Sequence, residues 1–182
     1  MYPFTRITAG LLTATALLLS VEIHAEATQR EDRIKAALVF KLVKFVEWPA
    51  SALSGNTPLQ LCAYGNSGVA EALAAADGKP ARDRMARFRK LDSLSTAEIK
   101  GCHVLFVAGG ARELLNDVPP ALRIRGGGLL TVSDHPEFAR RGGMIGLAQG
   151  ENKVKFEINL RAAREGGLEP GASLLELATI VD

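Results

Sequence analysis

Cysteine is nearly absent from this 182-residue chain, which has only two, and aromatic residues make up 5%, with a single tryptophan. Two thiols and three histidines are too few for a structural zinc site once an oxidising compartment claims the thiols. No apolar run reaches the roughly 20 residues that a membrane-spanning helix needs. Charge of one sign is also lacking: 22 basic residues face 20 acidic ones, a formal +2. That balance excludes an avid nucleic-acid binder and a broad surface for acidic partners. There is no GxSxG elbow and no P-loop lysine. A receiver domain's acidic pair after the first strand is missing too.

What is present begins with Arg6, an apolar run from Ile7 to Val21 and the small-residue ending Ile23-His24-Ala25. This is the pattern of a cleavable secretory signal, residues 1–25, followed by one domain over residues 26–182. The rival, a membrane anchor, is too short and has no basic stop-transfer cluster. In an exported chain the two cysteines, Cys62 and Cys102, are expected to be joined. Two buried free thiols that merely pack remain the alternative.

Glycine-bounded Cys102–Val107 is almost wholly apolar, as a strand buried on both faces would be. A similar run covers Leu59–Tyr64, followed by a glycine loop and a short alanine-rich helix from Val69 to Ala76. Met85–Leu91, rich in arginine, suits an edge strand. Helices are expected at Ser95–Lys100, at Ala111–Leu122 with an interruption at Pro119-Pro120, and from Pro136 to Gly142 with Asp134 as its cap. Met144–Gln149 and Lys153–Leu160 flank Gly150-Glu151-Asn152 as an antiparallel hairpin. Two helices close the chain, Leu160–Glu165 capped by Asn159, then Ala172–Ile180. The whole predicts a three-layer α/β domain with a mostly parallel sheet of order 2-1-3-4-5, flanked by helices, and a C-terminal antiparallel hairpin. In that order the strands of Cys62 and Cys102 are neighbours.

The N-terminal part of the domain reads as a helix that starts at the capping box Thr28-Gln29-Arg30-Glu31 and runs to Trp48, where Pro49 stops it. Ile34, Leu38, Val39, Leu42, Val43, Phe45 and Val46 fill a wide apolar arc. Lys41, Lys44 and Glu47 form a narrow polar strip with Phe40 and Trp48 on either side. Aromatic anchors ringed by polar groups suit an interface, so these five residues are candidates for partner binding. Glu157 and Asn159, on the polar side of the hairpin, join them if the two surfaces adjoin. Plain core packing with solvated lysines is the competing account of the strip.

Catalytic candidates are weak. Ser133-Asp134-His135 ends a strand, where α/β sheets bind ligands, yet three consecutive side chains diverge and build no triad. Capping explains Ser133 and Asp134 without chemistry. Tyr64-Gly65-Asn66-Ser67-Gly68 reads as an ordinary strand-to-helix turn. No catalytic residue, cofactor or metal ligand is therefore assigned. The alternative is a small-molecule-binding or hydrolytic domain that uses the loops after Tyr64, Val107 and Ser133.

Three stretches together carry a family likeness: Lys35 through Pro49 with its KFVEWP ending, Gly101–Val107, and Leu130–Asp134 through the GGMI of Gly142–Ile145 to the FEINL of Phe156–Leu160. They resemble the YfiR family of periplasmic regulators over the whole of residues 26–182. The resemblance implies a non-enzymatic repressor that binds the periplasmic domain of a membrane-bound diguanylate cyclase of the YfiN type, lowering cyclic di-GMP and biofilm formation. It implies release by an outer-membrane lipoprotein of the YfiB type, a homodimeric state and a redox input through disulfides. Cys62 and Cys102 occupy the positions of one family cysteine pair. The second pair, near the last hairpin, is missing here.

Overall fold

A computed structural model describes residues 26–114, 116–149 and 154–182, so the expected signal segment and the hairpin turn at Gly150-Glu151-Asn152 lie outside the described residues. Helix α1 covers residues 26–42. Then follow β1 (Val46–Glu47), β2 (Leu59–Tyr64), α2 (Gly68–Leu73), β3 (Pro80–Ala81), β4 (Arg84–Leu91), α3 (Thr96–Ile99), β5 (Val104–Val107) and β6 (Leu130–Ser133). The last third holds β7 (Ile145–Gln149), β8 (Val154–Asn159), α4 (Leu160–Glu165), β9 (Glu169–Pro170), α5 (Ala172–Leu175) and β10 (Thr179–Val181).

The main sheet has eight strands in the order β10-β8-β7-β6-β5-β2-β4-β3. Its parallel centre, β4-β2-β5-β6-β7, is the expected 2-1-3-4-5, and the β7–β8 pair is the expected antiparallel hairpin. Side chains alternate across it with the two-residue period of a strand. Leu59, Leu61, Ala63, Val104 and Phe106 face one core layer together with Val39, Leu42 and Val43 of the N-terminal segment. Cys62, Leu105 and Val107 face the other, with Leu114, Leu122 and Phe138. Burial on both faces is why the Val104–Val107 run needed no polar residue.

The structure departs from expectation in four places, each with a local cause. Helix α1 already includes residues 26–30, so Thr28 does not start it, and it stops at residue 42 rather than Trp48. A 3-10 turn, Val43–Phe45, leads into β1, which pairs antiparallel with β9. Branched Val43 and Val46 favour leaving the helix, and Pro49 pushes Trp48 towards extended backbone. Among the described residues between 111 and 129 there is no long helix but two single 3-10 turns, Arg112–Leu114 and Pro120–Leu122. Pro119 and Pro120 remove the donors a helix would need there.

The segment after Pro136 is a run of turns, with no helix for Asp134 to cap. Asp134 Oδ1 instead accepts from Gly109 N at 2.6 Å. Only glycine fits at that approach, because a Cβ on residue 109 would lie 2.8 Å from His135 N. The last helix ends at Leu175, and Thr179–Val181 becomes an edge strand parallel to β8. β-branched Thr179, Ile180 and Val181 suit that edge better than a helix end.

Among the described residues four polar side chains are buried, and each has a partner. Thr131 Oγ1 accepts from Met144 N, and Ser133 Oγ accepts from His135 N. Asn159, only 2% exposed, caps α4 by accepting from Ala162 N at 2.8 Å and donates its Nδ2 to Ala139 O at 2.9 Å. Asn159→Ala should therefore lower unfolding free energy by about 1–3 kcal/mol, from a lost cap plus a lost hydrogen bond to Ala139 O, which keeps only Gly142 N, at 3.2 Å, as a donor. Chemical denaturation against the parent chain measures it.

Candidate functional site

The carboxyl ends of β2, β5 and β6, where open α/β sheets commonly take ligands, are occupied by the chain's own groups. Asp32 of α1 sits where a Cβ on Gly68 would be, at the start of α2. Lys35 lies 2.8 Å from Glu31 and 3.9 Å from Asp134. Burial first, then the neighbouring Asp134, Glu31 and Glu71, push the Asp32 carboxyl above its ordinary range, while Lys35 opposes them. On the other side of the β2 end, Tyr64 OH donates to Glu113 at 2.6 Å, which holds the phenol proton on and the carboxylate proton off.

Ser133-Asp134-His135 is a turn rather than a reaction centre. The buried Ser133 Oγ closes it through His135 N, Asp134 serves Gly109, and His135 Nδ1–H donates to Pro136 O at 2.6 Å. No side chain of the three bonds another. Among the described residues no cluster of three or more His, Cys, Asp or Glu could hold a metal ion.

Cys62 and Cys102 form a disulfide with their Cα atoms 5.9 Å apart. Cys62 is 0% and Cys102 6% exposed. Arg89 reaches over this bond: its Nη2 donates to Glu98 O at 2.7 Å and lies 3.4 Å from Cys102 Sγ. Next in sequence, buried His103 accepts the Gln60 N–H at Nδ1, 2.9 Å away. That bond fixes the tautomer, so Nε2–H is the donor to Ala52 O at 3.0 Å. His103 thus ties β2, β5 and the 50–58 loop together beside the disulfide.

The candidate partner strip is divided by the early end of α1. Lys41, Lys44 and Glu47 are exposed, whereas Phe40 and Trp48 are half-buried and pack against the larger core cluster. Phe45, assigned to the apolar arc by helical spacing, is exposed at 44%, and Ile34 on α1 at 47%. The exposed aromatic of the strip is therefore Phe45. Beyond residue 42 helical spacing no longer applies, and the Val-Glu-Trp-Pro ending of the segment is the signal that identifies Phe45.

On the hairpin, Glu157 is half-buried and bound to Arg140 at 2.6 Å. The expectation that Asn159 faces outward is overturned by its burial and its two bonds. It stands at the last residue of β8, where the chain turns into α4, so strand alternation ends before it. Glu157 shares a cleft of about 290 Å³ with Lys35, on the N-terminal half of α1, rather than with Lys44.

A family model described as YfiR/HmsC-like matches residues 32–179, from α1 to the start of β10. No curated protein matches the chain.

Burial, and secondarily the charge of Arg84, hold the His103 imidazole below its usual 6.5, while the bond to Ala52 opposes the shift. A base with a depressed folded pKa binds fewer protons folded than unfolded. Stability is then full above pH 6.5 and falls as pH drops below it. The melting temperature should decline from pH 7.5 to 5.5, and His103→Gln, starting from a lower value, should show a smaller decline.

Proposed function

The chain belongs to the YfiR/HmsC-like family of periplasmic regulators, which are not enzymes, and we propose that it represses a membrane-bound diguanylate cyclase by binding that enzyme's periplasmic domain. The observation that carries this reading is the family match, which spans residues 32–179 and so includes the whole centre of the sheet. The turn-building roles of Ser133, Asp134 and His135, none of whose side chains bonds another, are compatible with it. Repression would lower cyclic di-GMP and biofilm formation, and an outer-membrane lipoprotein of the YfiB type would compete for the regulator and release the cyclase. Residues 1–25 would direct export and be removed, leaving a domain that works as a homodimer. Among the described residues no helix is long and apolar enough to cross a membrane.

The partner surface centres on Lys41, Lys44, Phe45 and Glu47, with the half-buried edges of Phe40 and Trp48 beside them. One exposed aromatic ringed by charges of both signs is the composition of an interface anchor. Glu157 belongs to a separate patch with Arg140, so the two need not engage one partner. With the second cysteine pair missing, any redox input would have to act through the buried Cys62–Cys102 bond.

Lys44→Glu reverses a charge on an exposed residue and leaves the core untouched. Its affinity for the cyclase's periplasmic domain should fall by about 1–3 kcal/mol at an unchanged melting temperature. Unchanged affinity in both Lys44→Glu and Phe45→Ala would move the interface elsewhere.

A further inference from the structure

Helix α1 is held unevenly along its length. Ala36, Val39 and Leu42 sink into the larger core, whereas residues 26–30, Arg33 and Ile34 are exposed. The amino-terminal half therefore rests on what Glu31, Asp32 and Lys35 touch, and most of those contacts are with like charge. Asp32 lies so close to Gly68, the first residue of α2, that a Cβ there would collide with its Oδ2. Around it stand Glu31 of its own helix, Glu71 of α2 and Asp134 just after β6, with Lys35 as the opposing cation.

That cation is shared: Lys35 lies 2.8 Å from Glu31 and 3.9 Å from Asp134. Arg33 turns away, donating to Gln29 O at 3.3 Å. Asp134 is compensated by the Gly109 N–H at 2.6 Å, but among the described residues no donor bonds the Asp32 carboxylate. Beyond Lys35 and Asp134 lies the cleft of about 290 Å³, lined also by His135, Glu137 and Glu157, the last paired with Arg140. A half-buried carboxylate without a donor, facing three others across one shared ammonium, is easier to seat neutral than charged.

We propose that the amino-terminal half of α1 is a pH-operated latch: a proton on Asp32 seats residues 26–35 against α2 and the turn after β6, and loss of that proton loosens the segment and widens the cleft that Lys35 walls. Docking raises the Asp32 carboxyl above 3.8, by burial first, with Lys35 opposing. Docking is therefore strongest below 3.8 and weakens as pH climbs through the raised value. Lys41, Lys44, Phe45 and Glu47 lie beyond Ala36, where core packing holds the chain, so the latch stands apart from the cyclase-binding surface and holds whether or not that surface is the right one.

Hydrogen exchange of the intact protein, corrected for intrinsic rates, reads local opening of this kind. Amides of residues 30–36 should be several-fold better protected at pH 4.5 than at pH 7.5. Those of Val104–Val107 should show no such gain, because buried His103 moves global stability the other way. Asp32→Asn keeps the size and removes the titration, so it should give high protection at both pH values. Equal or lower protection of residues 30–36 at pH 4.5 in the parent, or a pH difference that survives in Asp32→Asn, overturns the latch. Should Asp32→Asn fail to fold, Lys35→Gln takes its place in a pH series: without the opposing cation the loosening should shift to higher pH, and an unshifted midpoint refutes the proposal.

Discussion

The rest of the molecule depends on the junction between β2 and β5. These two strands form the middle of the sheet, pairing from Leu61↔Val104 to Tyr64↔Val107, and every other strand of the main sheet is placed by building outward from them. Just before β5 the junction is bolted twice, by Cys62–Cys102 on one face and by His103 reaching from Gln60 N to Ala52 O. The disulfide closes a separation of 40 residues that contains α2, β3, β4 and α3. In the chain-entropy account such a loop is worth about 4 kcal/mol, a large part of the stability of a domain this size.

That junction also separates two differently built ends of the sheet. Towards the carboxyl ends of the strands, Asp32, Lys35 and Asp134 meet over the sheet, beside the cleft of about 290 Å³ that Lys35 and Asp134 share with Glu157. Towards the amino ends, His103 and Arg84 fasten the 48–58 loop to the sheet through the carbonyls of Ala52 and Thr57. A regulator that works by surface contact needs no reaction centre, but it does need surfaces that keep their shape. Lys41, Lys44, Phe45 and Glu47 lie on the segment whose buried face, Val39, Leu42, Val43 and Val46, is pressed against this same central core.

Much of the fold was legible in the sequence because both-face burial leaves an unmistakable apolar run and glycines punctuate it. The order of the five central strands, the hairpin and the Asn159 cap all followed from that pattern. What could not be read was set by tertiary contact. The end of α1 is drawn out into β1 by pairing with β9, more than 120 residues away, and no local period reveals that. The Thr179–Val181 strand likewise forms only because β8 offers it an edge. Among the candidate partner-strip residues, Lys41, Lys44 and Glu47 are exposed as helical spacing suggested, while Trp48 is half-buried and Phe45 exposed once the helix stopped early. Asn159 was correctly assigned as a cap, and that role is what keeps it from the surface.

Reactivity and stability of the Cys62–Cys102 bond, measured together, test most directly whether the junction is a permanent staple. With one sulfur wholly buried and the other nearly so, reductant should open the bond slowly under native conditions and quickly only in denaturant. The reduced protein should then unfold at lower denaturant, with a loss of about 4 kcal/mol in a single transition followed by Trp48 fluorescence. Rapid reduction of the native protein with an unchanged unfolding midpoint would contradict the account, because the centre of the sheet would then stand without its bolt.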